Sequence, residues 1–204
     1  MRRGPREILR DVRFEAPADQ ITVLFGPSGV GKTTCLRLIA GFERPSSGEI
    51  ILGNEVVSSP SRWVPPRNRR VGFCFQEDAL WPALSAQDHI QIPLRTFLRN
   101  REDIQQHTER ILENLELTSF ADRYPAQLSG GEKKRLGLAR ALALEPAYLL
   151  RDEPLSSVEG PMREDLIHLL RECRNGRRAI LMVTHQLDEA LALGDRLVIL
   201  LDGR

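Results

Sequence analysis

Ile21-Thr22-Val23-Leu24-Phe25-Gly26-Pro27-Ser28-Gly29-Val30-Gly31-Lys32-Thr33 is the stretch whose reading decides the fold. Its first five residues form a nearly continuous apolar run, the pattern of a strand buried on both faces in a parallel sheet. The run ends in G-x-x-x-x-G-K-[ST], and a helix is predicted directly behind it, over residues 32–40. Strand, glycine loop and helix in that order make an anion cradle. The glycines let successive backbone N–H groups turn inward, and the helix N-terminus adds a favourable dipole. Lys32 is expected to reach the β- and γ-phosphates of a nucleotide while the Thr33 hydroxyl ligates Mg²⁺.

Outward from this stretch, four more runs read as similar strands, at residues 71–75, 147–150, 179–183 and 196–201. They alternate with amphipathic segments, which is the α/β pattern. A strand is also expected at 9–15. Between residues 76 and 129 helical periodicity replaces strands, with Ile104, Ile111, Leu112 and Leu115 marking one face. The expected fold is α/β, a phosphate-loop NTPase core with a mostly parallel sheet, an N-terminal antiparallel β portion and an inserted helical subdomain. The 204 residues suit a single domain, with the core at 1–76 and 146–204 and the helical subdomain at about 77–145.

Composition excludes several classes of function. Lys and Arg total 29 against 28 Asp and Glu, so the global basic field of a nucleic-acid binder is missing and no nucleic-acid partner is expected. Three cysteines (Cys35, Cys74, Cys173) without CxxC spacing fit reduced thiols in or near a core rather than disulfides or a zinc site. No apolar run is long enough to span a bilayer, and Met1-Arg2-Arg3-Gly4-Pro5 leads into no signal-peptide apolar region. A membrane role then requires another subunit. Arg62, Arg67, Arg69 and Arg70 read as a solvated loop.

Two further motifs carry chemistry. Ala147-Tyr148-Leu149-Leu150-Arg151-Asp152-Glu153-Pro154 is an apolar strand ending in two carboxylates. Asp152 is expected to hold the Mg²⁺ shell, and Glu153, farther out, to orient and deprotonate an attacking water. Leu128-Ser129-Gly130-Gly131-Glu132 opens a helix predicted to run to about residue 144, with Ser129 and Glu132 as a capping box. A capping box alone does not explain two glycines in a first helical turn, where each costs stability relative to alanine. They suit the close approach of an anion to the helix N-terminus, and that anion need not belong to the same subunit.

With these three motifs in order, nearly the whole chain resembles a nucleotide-binding domain of the ABC transporter superfamily. The resemblance implies that Gly26, Pro27, Ser28, Gly29, Val30, Gly31, Lys32, Thr33 and Thr34 contact ATP, that Thr33, Asp152 and Gln76 serve Mg²⁺, and that Ser129, Gly130 and Gly131 meet the nucleotide of a second copy. It also implies catalytic roles for Glu153, His185, Gln76 and Lys32. Gln76, in Phe73-Cys74-Phe75-Gln76-Glu77, falls at the family's Q-loop glutamine, and His185, in Val183-Thr184-His185, at its switch histidine. The implied protein is an ATP-hydrolysing motor that works as a head-to-tail dimer, peripheral on the cytoplasmic face of the inner (plasma) membrane and bound to transmembrane permease subunits. A groove at residues 76–84, lined by Trp81, Pro82 and Leu84 unless Trp81 instead fills the core, is the implied route of the stroke. Phe14-Glu15-Ala16-Pro17 and Pro65-Pro66-Arg67-Asn68-Arg69-Arg70-Val71-Gly72-Phe73 are most similar to oxyanion importer ATPases, the molybdate type in particular.

The chain departs from that family at four places. No aromatic residue precedes Phe14, so the usual adenine-stacking platform is expected to be absent or borrowed. Arg151 replaces an apolar residue; beside Asp152 and Glu153 it is expected either to lower their pKa values and weaken Glu153 as a base, or to snorkel away from the sheet. Ser156-Ser157-Val158-Glu159 replaces a Ser-Ala-Leu-Asp loop, and Asp19 stands where a turn glycine is common. Two alternative functions follow: a degenerate or truncated cassette that binds ATP but hydrolyses it poorly, and a soluble ABC ATPase outside transport.

Overall fold

The computed structural model describes residues 1–3, 6–156, 158–174 and 177–204. In chain order the elements are β1 (Arg2–Arg3), β2 (Arg6–Glu7), β3 (Ile21–Phe25), α1 (Lys32–Ala40), β4 (Ile50–Leu52), β5 (Glu55–Ser58), β6 (Val71–Cys74), α2 (Ala86–Leu94), α3 (Arg101–Asn114), α4 (Gly130–Leu142), β7 (Tyr148–Asp152), α5 (Pro161–Glu172), β8 (Ala179–Thr184), α6 (Leu187–Leu193) and β9 (Arg196–Ile199). β6-β7-β8-β3-β9 form one five-stranded parallel sheet, and β1-β2 and β4-β5 form two separate antiparallel pairs.

Side chains alternate across a strand, so every buried strand of the sheet serves two cores. On one face Leu24, Leu150, Leu181 and Val183 pack with Leu36 and Leu38 of α1. On the other face Ile21, Val23, Leu149, Ile180 and Met182 join a larger cluster with α2 to α5. Ile104, Ile111, Leu112 and Leu115 are all buried there, as their spacing predicts. Each of the three α-helices between β6 and β7 begins at a polar cap: Ser85 with Asp88, Asn100 with the Glu102 N–H, and Ser129 with Glu132. Among the described residues no helix is long and apolar enough to cross a membrane.

The structure corrects several expectations. Residues 9–15 are not a strand. Asp11 there has φ 47°, incompatible with an extended run, and the Arg10 N–H goes to the Gly203 carbonyl at 2.7 Å instead of to a ladder. The antiparallel portion comes from β1-β2 and from the hairpin β4-β5, which the sequence reading left unassigned. Arg69 is not solvated. It is 2% exposed, and its guanidinium donates to the carbonyls of Val64, Leu38, Ile39 and Val57 at 2.7–3.1 Å. Two of those carbonyls belong to the last turn of α1, where a cation also meets the negative end of the helix dipole. Asp19 does take the left-handed conformation, with φ 61°. Ser157, part of the substituted 156–159 loop, lies outside the described residues, as do Gly4 and Pro5 near the chain start.

Candidate functional site

The site forms where β3, β7 and β8 end side by side. Behind β3 the loop reaches Gly31 at φ 112°, a left-handed conformation, and a Cβ there would lie 2.6 Å from Leu9 Cδ2, so only glycine fits. α1 then starts with no side-chain cap and no acidic residue in its first turn, which leaves its N–H groups available to an anion. Pro27, Ser28 and Gly29 are exposed, Val30 is half-buried, and Thr34 is buried beneath the loop. Lys32, 5% exposed, curls back so that Nζ donates to the carbonyls of Gly26 at 2.7 Å and Pro27 at 2.9 Å. Burial pushes its ammonium below the ordinary lysine range, against the pull of Glu153 and Asp152.

β7 delivers the carboxylates. The Thr33 hydroxyl donates to Asp152 Oδ1 at 3.2 Å, bringing two of the three expected Mg²⁺ residues together. Burial pushes the Asp152 carboxyl above its usual range, opposed by the Thr33 hydrogen bond and in smaller measure by Lys32. Two hard oxygens on a buried carboxylate and a hydroxyl suit Mg²⁺, which takes one or two protein ligands and fills its octahedron with phosphate oxygens and water. Glu153 follows at φ 47°, a left-handed backbone unusual for a residue with a Cβ. Its carboxylate is a meeting point: Gln76 Nε2 donates to Oε2 at 2.9 Å and His185 Nδ1 donates to Oε1 at 2.7 Å. Two residues, 77 positions before and 32 positions after Glu153 in the chain, thus converge on its carboxylate.

Ser129, Gly130 and Gly131 are not joined to this cluster. Their capping box is present, with the Ser129 N–H to Glu132 Oε2 at 2.7 Å and the Glu132 N–H to Ser129 Oγ at 3.3 Å. The two glycines have different surroundings. A Cβ on Gly131 would fall 2.1 Å from Sδ of Met162, a flexible side chain 39% exposed that can swing aside, whereas a Cβ on Gly130 meets nothing within 4 Å among the described residues. Packing within the chain therefore does not dictate glycine at either position.

Both expectations for Arg151 fail. Adjacent strand residues point to opposite faces, so Arg151 lies across the sheet from Asp152 and on the side of its register partner Cys74. It does not snorkel, being 3% exposed with Nε and Nη1 buried and unpartnered among the described residues. The charge contributions at Asp152 come from Glu153, Lys32 and Arg37, not from Arg151. Trp81 is not core either: 51% exposed, it stacks beside His89 and under the Arg140 guanidinium.

Sequence reasoning missed Lys134 and Glu189. Lys134 Nζ donates to the Gln76 carbonyl at 2.9 Å and lies 3.3 Å from Asp78 Oδ1. Glu189 is buried behind His185. A lysine four residues into an apolar-faced helix and a glutamate within a helical run carry no sequence signal that separates them from surface charge.

A loop shaped to cradle an anion at a helix N-terminus, with a carboxylate on β7, separated from β3 by β8 alone, defines a phosphate-loop nucleotide-binding fold. The ABC transporter family profile matches residues 9–156, and the chain belongs to that family. It is 41% identical over 202 residues to the sulfate/thiosulfate import ATP-binding protein CysA of Mesorhizobium japonicum, covering 96% of this chain and 57% of that one. The CysA protein of Escherichia coli is 40% identical over 205 residues (98% and 55%), and the trehalose/maltose import ATP-binding protein MalK of Thermococcus litoralis 36% over 206 (98% and 55%). The chain therefore spans 55–57% of the length of these relatives. Among solved structures it is similar to the dimeric MJ0796 bacterial ABC transporter cassette, with TM-score 0.82 and 30% identity over 96% of this chain and 87% of that one. It is also similar to the dimeric post-hydrolysis MJ0796 cassette bound to ADP and Pi, with TM-score 0.84 and 29% identity over 100% and 91%.

Proposed function

We propose that this chain is the ATP-binding and ATP-hydrolysing motor domain of an importer, most similar to the oxyanion type. It acts as one ABC ATPase domain, with its core at 1–76 and 146–204 and a helical part at about 77–145. The observation that carries the reading is the convergence of Gln76 and His185 on Glu153, beside the phosphate loop.

In this reading Lys32 leaves its loop carbonyls for the β- and γ-phosphates of ATP, and N–H groups of the loop beyond Pro27 and of the first turn of α1 hold them. Mg²⁺, which Thr33, Asp152 and the Gln76 side-chain oxygen Oε1 would hold, would supply Lewis-acid neutralisation of phosphate charge. The Gln76 amide already commits its N–H to Glu153, which leaves that oxygen as its free end. Glu153 takes the proton of the attacking water, and the two hydrogen bonds it accepts fix which way its carboxylate faces. The idea of a poorly hydrolysing cassette loses its electrostatic ground, because Arg151 lies on the other face of the sheet. Relatives named as import ATP-binding proteins and similarity to dimeric cassettes support a second copy and permease subunits as partners, with a peripheral site at the cytoplasmic face of the membrane. Exposed Trp81 suits the 76–84 segment as the permease contact.

The test is ATP turnover of the wild type and of Glu153→Gln, with light scattering in Mg-ATP. The variant is expected to lose about 10²- to 10⁴-fold in rate, the range for removing a general base, and to accumulate as a dimer. A variant that turns over normally, or stays monomeric in Mg-ATP, would sink the reading.

A further inference from the structure

Behind His185 lies a carboxylate with no role in the mechanism above. Glu189, on α6, is 1% exposed, the most buried carboxylate among the described residues. Its Oε2 accepts the Thr184 hydroxyl in a short hydrogen bond, and its Oε1 is buried without a hydrogen-bond partner among the described residues. Such an oxygen is costly, and packing alone would be better served by an apolar residue.

The hydrogen bonds around it have a direction. A threonine hydroxyl has one proton and two lone pairs, and a carboxylate oxygen can only accept. Once Thr184 commits its proton to Glu189, its oxygen is free to accept the Gln186 N–H, which it does at 3.0 Å. Thr184 also offers its carbonyl to the Gly26 N–H at 3.4 Å, at the start of the phosphate loop. Residues 184 and 186 are thereby tied on both sides of His185, whose half-exposed ring has its one described side-chain partner in Glu153. The aim of that ring is set by the turn that carries it. The charged groups facing Glu189 are Arg163 of α5, itself paired with Asp188 at 2.7 Å, together with Asp188 and Glu153.

We propose that Glu189 is a positioning residue for His185, acting through the Thr184 hydroxyl to hold the 184–186 turn that aims the imidazole at Glu153. This rests on the reading of Glu153 as the hydrolytic base.

The experiment compares full-length wild type with Thr184→Val, which keeps shape but removes the hydroxyl, Thr184→Ser, which restores it, and Glu189→Leu. Thr184→Val, which removes the donor, and Glu189→Leu, which removes the acceptor, are expected to lower kcat for ATP about 10- to 100-fold, the scale of a misplaced catalytic group. KM for ATP should stay within about twofold, because the phosphate-binding groups are untouched. Thr184→Ser should recover the rate, and Thr184→Val should add no loss in a His185→Ala background. A crystal structure of Thr184→Val should show the imidazole withdrawn from Glu153. Full activity of Thr184→Val, an equal loss in the His185→Ala background, or an imidazole still at 2.7 Å from Glu153 would overturn the proposal. Should Glu189→Leu fail to fold, Thr184→Val and its structure still decide. If Glu153→Gln hydrolyses ATP normally, the proposed function itself fails; if Glu153→Gln is inactive while Thr184→Val is fully active, only this inference does.

Discussion

Replacing Arg151 by methionine should stabilise the protein. The guanidinium is 3% exposed, two of its three nitrogens have no partner among the described residues, and its neighbours include the thiols of Cys74 and Cys173. Those thiols do not neutralise it, because burial pushes Cys173 up to about 11 and raises Cys74 as well, so both stay protonated near neutral pH. Exchanging a buried charge for a well-packed apolar side chain is worth about 1–4 kcal/mol. The third nitrogen is not among the buried unpartnered atoms, which argues for the lower half of that range, about 2 kcal/mol. For a chain of this size that is a rise of about 4–8 °C in Tm. The assay is urea unfolding followed by circular dichroism, where the midpoint should rise at constant slope. Arg151→Ala should gain less, because it leaves a cavity. Turnover of Arg151→Met should stay within about twofold of wild type, since on the order of 0.4 kcal/mol is all that twofold represents. A lower urea midpoint would show that the guanidinium is satisfied, and a turnover gain of tenfold would restore the idea that Arg151 acts on Glu153.

Arg69→Met should destabilise the chain by about 3–5 kcal/mol, because it orphans carbonyls that a buried cation now satisfies; a midpoint shift under about 1 kcal/mol in the same urea assay would refute this. Glu189 should oppose folding increasingly as pH rises. Burial raises its folded pKa above 4.5, so below that value the carboxyl is neutral in both states, and through the window above it the folded state bears a growing cost of ionisation. Glu189→Gln should therefore gain stability relative to wild type between pH 4 and pH 7, measured as unfolding free energy at each pH; a constant or shrinking difference would contradict it.

The part of the site that follows a local pattern was legible. β3 and α1 span the residues that the quoted stretch predicts, and the capping box at Ser129 forms as written, because each depends on neighbours a few residues away. Residues placed by long-range packing were not legible. Arg69 looks like its neighbours Arg67 and Arg70 in sequence, yet it is buried because four carbonyls from residues 38 to 64 surround it. Arg151 misled in the opposite way: adjacency in sequence to Asp152 suggested electrostatic contact, while alternation along β7 sends the two side chains to opposite faces. Strand ends erred by one to two residues, as at β6 and β9, where the apolar run continues after the ladder stops.

The members of the cluster on Glu153 are held in different ways. Glu153 and His185 stand at the ends of β7 and β8, which are paired along five residues of register. Gln76 follows β6 of the same sheet by two residues, but its segment is also held from α4. Its carbonyl accepts from Lys134, and Arg140 donates to the carbonyls of Asp78 and Ala79, so two residues of α4 hold the segment 76–79. α4 is also the helix that opens with Ser129 and Gly130. Any displacement of α4 against the sheet is then felt first at the single 2.9 Å hydrogen bond from Gln76 to Glu153, before the 2.7 Å bond from His185 or the Thr33–Asp152 pair, which lie within the sheet and its loops. On the proposed reading of Glu153 as the base, Gln76 is the member of the cluster whose segment α4 holds, and so the one through which the helices between β6 and β7 would reach the chemistry.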